Sequence, residues 1–506
     1  MYKMGTGDCF AIKFLADKEE IFKIMIDAGT WQGSKDRLGD YIKDLKTYLG
    51  DYTDVLIVTH EHKDHVHAFD ACEELFTDDN FHVGEIWMGW TENDRTRKVK
   101  EWKEDFGEKK KALGLVAKEL ETAMNTPDFK NQFAGNRDSE KMLGARNVFK
   151  GVLSGFADLH LSFDEVNKVY KGGQAGMEVV KKKIKKDAIK FFKPGDVIRD
   201  LGEAEGVKIY VLGPPELYEE VKKEAGGEGE SYKHNKQLRE SDAFGAAVLG
   251  MNNTSFVKDS LLPFDEHYME STLNEQPDPK DEVAMTAKKN MDFVRGSYKS
   301  KDWRKIDYDW LFSAGSFALR MNGLTNNLSL ALAFEFEEGG KVLLFPGDAE
   351  FGSWESWHRI KWKEKKDGST KEKEKQKHLT EDLLNRTVFY KVAHHLSHNG
   401  TAQKLGLEMM NHDDLVAMAT LDYEVINDGW TSTMPNRAII KELLARTKGR
   451  LMIMNEKGLF FDFHDDVPLR EKIDEARDNM TTKERAAFTK NFDDSNPLYL
   501  QYTVKL

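Results

Sequence analysis

A chain of 506 residues, 40% hydrophobic and 32% charged, is long enough for a large core, either as two or three domains or as one fold with big insertions. No apolar run approaches the roughly 18 residues of a membrane span, and the opening MYKMGTGDCFAIKF lacks the basic and apolar regions of a signal peptide, so a cytoplasmic protein is expected. The net charge of −13 weighs against a surface dedicated to coating nucleic acid. With only Cys9 and Cys72, neither a disulfide framework nor a thiolate zinc site is available.

Residues 1–90 begin with two short, partly alternating runs, FAIKFL and FKIMIDAG, separated by the charged turn ADKEE; this predicts an antiparallel hairpin. The continuous β-branched run DVLIVTH predicts a strand covered on both faces, and HVGEIWMGW another strand. Charged residues dominate 91–190, where Leu113, Val116, Leu120 and Met124 follow a helical stripe, so a helical insertion is expected. Strand-like text returns over 191–216, with a turn at Pro194-Gly195. A second insertion, 217–305, has no sustained periodicity.

Within 306–350, NNLSLALAFEFEEGGKVLLFPGDAE reads as two strands joined by a Glu-Gly-Gly turn. A charged helical insertion follows over 351–385, in which Trp354 and Trp357 stand at helical spacing and read as packing residues. The basic runs at 181–187 and 361–378 could border a local groove, but the second alternates Lys with Glu and reads as a solvated helix or linker. From 386 to 506 come the strand-like TVFYKVAHH and DLVAMAT, a helix NRAIIKELLAR, then RLMIMN, GLFFDF and a last strand YLQYTVKL. Strands and helices alternate, which predicts an α/β or α+β class with a substantial mixed sheet system.

The chemistry is concentrated in THEHKDH, residues 59–65, directly after the apolar run. In an extended segment His60 and His62 project to one side, while Asp64 and His65 follow a change of direction and face a neighbouring position. Imidazole nitrogens and carboxylate oxygens are the usual ligands of a catalytic zinc. A second ion about 3.5–4 Å away would complete a site able to activate water and stabilise a displaced oxygen.

The HxHxDH pattern resembles the signature of the metallo-β-lactamase superfamily, and other pieces follow in matching order. Asp27 in IMIDAG is similar to the early strand-end aspartate that supports the metal loop, Asp348 in LLFPGDAE to the bridging aspartate, and His395 in KVAHHLSHNGT to the late histidine. The closer resemblance is to the ComEC-type branch, named for the nuclease domain of competence channel proteins. It rests on MGTGDCFAIKF, NNLSLALAF with VLLFPGD, VAHHLSHNGT, and MPNRAIIKELL with NEKG, covering roughly 1–90, 191–216 and 320–465. Three positions depart from that branch: Leu396 stands for a Gly, His67 for another Gly, and Met434-Pro435 for a His-Pro. The departures bear on substrate preference more than on the metals.

The resemblance implies an αββα sandwich with large, mainly helical insertions and two divalent ions, Zn or Mn. His60 and His62 would hold the first ion, Asp64, His65 and His395 the second, with Asp348 bridging and Asp27 in support. A hydroxide activated by both metals would be the nucleophile. Asp64 and His394 are the catalytic candidates, His394 as an outer donor or as a contact to the developing oxyanion. His67, Ser397 and His398 are candidate substrate contacts. A third histidine for the first ion is open among His82, His160, His234 and His267, or no protein ligand at all. The implied reaction is hydrolysis of a phosphodiester, in a small molecule or in nucleic acid. Hydrolysis of a lactone, thioester or amide is the alternative on the same fold, and a non-catalytic interaction module, with the insertions as surfaces for a protein partner, is the other.

Overall fold

The computed structural model describes residues 1–31, 35–77, 79–104, 163–164, 169–170, 173–199, 201–223, 226, 230, 281–299, 323–363, 376, 378–426, 434–462 and 467–505. The stripe Leu113, Val116, Leu120 and Met124, and the histidines His160, His234 and His267, lie outside the described residues. The chain divides into two units. One comprises Met1–Lys110, Arg146–Lys236 and Arg320–Leu506; the other, Lys111–Ala145 with Gln237–Leu319, includes the helix Glu282–Lys299. Among the described residues, no helix is long and apolar enough to cross a membrane.

Two mixed sheets organise the first unit. Strands β1 (Phe10–Ala16) and β2 (Glu19–Ile26) form the expected antiparallel hairpin, with Phe10 opposite Ile26. Beyond it β3 (Tyr52–Ile57), β4 (His82–Gly89) and β5 (Ile189–Phe192) run parallel to β2, in that order. The second sheet has seven strands: β6 (Val197–Ile198), β7 (Val207–Val211), β8 (Leu332–Phe336), β9 (Val342–Phe345), β10 (Thr387–Lys391), β11 (Val416–Asp422) and β12 (Leu451–Asn455), adjacent in chain order. Pairing is antiparallel from β6 to β9 and parallel from β9 to β12.

Side chains alternate across each strand, and the alternation sorts the apolar residues into layers. Ile24, Ile26, Val55, Ile57 and Trp87 share one core with Ile209, Val211, Leu332, Phe334 and Phe345 of the second sheet. Their neighbours Met25, Leu56, Val58, Ile86 and Met88 are buried on the opposite face, with Leu38, Ile42 and Leu45 of α1 (Lys35–Leu49), Val66 and Phe69 of α2 (Lys63–Ala71), and Met177 of α3 (Gly173–Val179). The outer face of the second sheet is covered by α4 (Phe351–Trp357), α5 (Leu379–Asn385) and α6 (Arg437–Thr447). Trp354 and Trp357 are fully buried there, 4.2 Å apart at their ring centres, with Tyr390 6.2 Å from Trp354. The order is therefore helices, sheet, sheet, helices, in a mixed α/β unit.

The C-terminal expectations need correction. Among the described residues of GLFFDF, 458–462, there is no strand, and Phe460 makes a single bridge to Pro468. In YLQYTVKL the strand is confined to Gln501–Tyr502, paired with Phe492–Asp493, and Tyr499 adds a single bridge to Tyr2. Two helices absent from the expected elements, α7 (Leu469–Asp478) and α8 (Thr482–Asn491), occupy the intervening chain. The aromatic residues find partners without a ladder, Lys441 Nζ lying 5.2 Å from the centre of the Phe461 ring and the Phe488 ring 6.0 Å from that of Tyr502.

Candidate metal centre

The candidate site residues follow the carboxyl ends of strands in both sheets. Asp27 follows β2, His60 and His62 follow β3, Asp348 follows β9, and His394 and His395 follow β10. The chain between β3 and α2 explains the local arrangement of THEHKDH. His62 is extended (φ −67°, ψ 146°) and caps α2, so Asp64 and His65 fall in the first helical turn and face the sheet ends. Backbone amides lock that turn in place: Ala28 N–H donates to the His65 carbonyl, and Asp8 N–H to the Asp64 carbonyl, both at 2.9 Å. The approach is so close that a Cβ on Gly29 would stand 2.2 Å from Asp64 C and His65 N.

Three imidazoles of the centre, His60, His65 and His395, are anchored from behind. The Asp27 carboxylate, fully buried, accepts Thr59 N–H at Oδ1 (2.8 Å) and, at Oδ2, the Thr59 hydroxyl (2.6 Å) and His65 Nδ1–H (2.8 Å). Thr420 donates its only hydroxyl proton to Asp8 Oδ1 (2.6 Å), so its oxygen accepts from His395 Nδ1–H at 2.7 Å. Both rings therefore keep a proton on Nδ1 and turn Nε2 inward, so that loss of the Nε2 proton gives the tautomer a metal ligand needs. His60 Nδ1 is held in the same way, 3.1 Å from Thr59 Oγ1 and 3.2 Å from Ser329 Oγ.

The inward atoms converge. Asp348 Oδ2 lies 3.2 Å from His65 Nε2 and 3.1 Å from His395 Nε2, and Asp64 Oδ2 lies 3.2 Å from His395 Nε2. His65 Nε2, His395 Nε2, Asp348 Oδ2 and Asp64 Oδ1 are buried and make no hydrogen bond of proper geometry. Native interiors rarely leave such atoms orphaned, and an ion is one of the few things that satisfies them. His60 Nε2 faces His62 Nδ1 at 3.0 Å, and the His60 ring centre is 4.1 Å from that of His65. This buried Asp/His group could hold a metal ion.

Asp8 also brings an oxygen within 4.8 Å of the ligand atoms of His65, Asp348 and His395. Its oxygens, however, stand 3.7 Å from the Nδ1 atoms of the two rings, behind them. One is taken by Thr420 and the other by Lys391 Nζ, at 2.6 Å. Asp8 is an anchor of the ligands and not a ligand itself.

Charge sets the basicity of the group. Burial opposes ionisation throughout, yet Asp348, Asp64 and Asp8 raise His395 to about 9, and Asp348, Asp8 and Asp27 hold His65 well above the ordinary histidine value. In return His395, His65 and Lys391 overcome burial and hold the Asp348 carboxyl well below the usual range. Burial, reinforced by the charge of His65, pushes His60 well down.

His394 sits beside this group, not in it. Burial lowers it to about 4, so it is neutral near pH 7. The Asn326 amide donates to Glu350 Oε1 (2.8 Å) and to His394 Nε2 (3.2 Å). That leaves the proton on Nδ1, which stands 3.5 Å from Glu350 Oε1 and makes no hydrogen bond of proper geometry. The three residues His394, His395 and Leu396 all have left-handed backbone (φ 47°, 49° and 68°), each costing about 1–2 kcal/mol. Such strain gathers where side chains must be aimed. The φ at Leu396 explains physically why a glycine would be easier there.

The other expected residues fall differently. His67 is on α2 against the Thr30 backbone, lowered to about 4 by burial and the Lys63 charge, away from the converging atoms. Ser397 is buried and donates to Asn399 Oδ1, while His398 is half-buried in the same loop. His82 is exposed at the start of β4, beside Asp51 at the far end of the strand, so it cannot serve as a third ligand. Compared with protein-family models, with curated proteins and with solved structures, the chain finds no match in any of the three.

Proposed function

We propose that this chain is a metal-dependent hydrolase with a metallo-β-lactamase-type fold, holding two divalent ions, Zn or Mn, and cleaving phosphodiesters in a small molecule or a nucleic acid. The observation that carries the reading is the convergence of buried, unsatisfied nitrogen and oxygen atoms from three strand ends, with the His65 and His395 rings anchored behind. His60 Nε2 and His62 Nδ1 would hold one ion, and Asp64, His65 and His395 the other, with Asp348 between them. When bound, the ions supply Lewis acidity and a water activated near neutral pH. The chain's own residues do the rest. Asp27 and Thr420 orient the ligand rings, the buried walls limit bulk water, and neutral His394 offers an Nδ1–H to a substrate oxygen. The free buried thiols Cys9 and Cys72 suit a cytoplasmic setting.

The test is bound metal, followed by turnover of bis-p-nitrophenyl phosphate, linear and cyclic nucleotides, and a lactone with added Mn²⁺ or Zn²⁺. Phosphodiester turnover that disappears in Asp64→Ala together with bound metal is the expected result. Less than one ion per chain and no effect of Asp64→Ala would refute the catalytic reading. Lactone cleavage alone would keep the centre and discard the substrate class.

A further inference from the structure

Lys391 is a cation in a place where a strand normally carries an apolar residue. It closes β10, is 1% exposed, and its neighbours Tyr390 and Val392 are fully buried. An ammonium has three donors, and all three are used: Asp8 Oδ2 at 2.6 Å, Gly347 O at 2.9 Å and Asp348 Oδ1 at 3.1 Å. Stability alone is a poor reason for such a residue, because a buried ion pair is often no better than an apolar replacement of the same volume.

The connections say more than the burial does. Gly347 and Asp348 are consecutive, so one ammonium gathers a carbonyl and a carboxylate oxygen from a single turn. The turn is held from the other side, where Ser329 Oγ accepts Asp348 N–H at 3.0 Å. Asp8, the counter-ion of Lys391, receives the Thr420 hydroxyl that in turn orients His395. One carboxylate thus anchors two candidate ligands, Asp348 through Lys391 and His395 through Thr420. With Oδ1 occupied, Asp348 turns only Oδ2 toward His65 Nε2 and His395 Nε2.

We propose that Lys391 is a positioning residue of the metal centre, a resident cation that, anchored by Asp8, reserves Asp348 Oδ1 and leaves Oδ2 alone to the ions. This rests on the dinuclear reading above. It would leave Asp348 a single oxygen with which to hold the ions, and it keeps the buried carboxylates partly neutralised in the metal-free protein.

The test is the double variant D8N/K391M, which removes one negative and one positive charge and so leaves the net charge of the centre unchanged. Metal content, affinity for the second ion and the metal–metal vector from X-ray absorption are read, none of which needs turnover. The expected result is a folded protein whose second ion is bound about tenfold or more weakly, with a longer metal–metal vector because both oxygens of Asp348 are released. An affinity and vector equal to wild type would overturn the proposal. Should the pair not fold, K391Q with Asp8 retained replaces the ammonium by a shorter, neutral amide, and the same comparison decides. Wild-type protein that holds fewer than two ions, read first, overturns the dinuclear reading itself.

Discussion

Replacing Asp27 by asparagine changes one acceptor into a donor where every partner is a donor. Thr59 N–H, the Thr59 hydroxyl and His65 Nδ1–H share its two oxygens within 2.6–2.8 Å, in a place with no solvent to compensate. The asparagine carbonyl can retain Thr59 N–H, and the Thr59 hydroxyl can rotate to accept, but the new amide group then faces His65 Nδ1. His65 keeps a hydrogen bond there only by surrendering the Nδ1 proton to Nε2, where it blocks the lone pair now 3.2 Å from Asp348 Oδ2. Loss of such an outer partner costs roughly 10–100-fold in metal affinity, or about 1.4–2.8 kcal/mol. Titration against a chromophoric chelator measures the affinity, and a thermal melt verifies folding. A folded Asp27→Asn protein that binds metal as tightly as wild type would refute the argument that Asp27 sets the His65 tautomer.

The metal-free protein should lose stability as pH rises. His395 is raised to about 9, above the roughly 6.5 of an unfolded histidine, so its contribution, on the order of 3 kcal/mol, is complete below about pH 6.5 and gone above about 9. Melts of chelator-treated protein from pH 6 to 10 should fall through that window, and calorimetry in buffers of different ionisation enthalpy should show protons released when metal binds; a flat profile without proton release contradicts the picture. Gly29→Ala should abolish metal binding and lower the melting temperature, since its Cβ would lie 2.2 Å from the Asp64–His65 peptide. Gly39→Ala, in α1 with open space around it, should instead stabilise by about 0.5–1 kcal/mol in urea titration. Asn326→Ala should lower kcat about tenfold or more while metal content is retained, because it frees His394 without touching the ligands; an unchanged kcat would remove His394 from the chemistry.

Local patterns account for the elements that the sequence makes legible. Strands β1 to β4 and β8 to β12 coincide with apolar runs because each is buried on at least one face, and burial is what such runs record. The candidate ligand loop is legible because four ligand-type residues stand in six positions at the end of one of those runs. Helix α8 also carries a readable signal, the capping box Thr481 with Glu484, although the aromatic GLFFDF ahead of α7 points misleadingly to a strand. Asp8, Lys391, Asn326 and Glu350 announce nothing locally. An aspartate after glycine reads as a turn, and a lysine in a strand reads as a solvent-facing residue.

What the sequence determines by itself is therefore the inventory of the centre and the order of most of the strands, since hydrophobic alternation and clustered ligands are properties of neighbours along the chain. Which atom of each ligand faces inward is decided only by the tertiary structure. That choice depends on the back side of each ring and carboxylate, where Asp27 meets His65, Thr420 meets His395 and Lys391 meets Asp348. Those partners come from separate strands, and hydrogen-bond direction between residues 25 to 43 positions apart leaves no periodic trace in the chain.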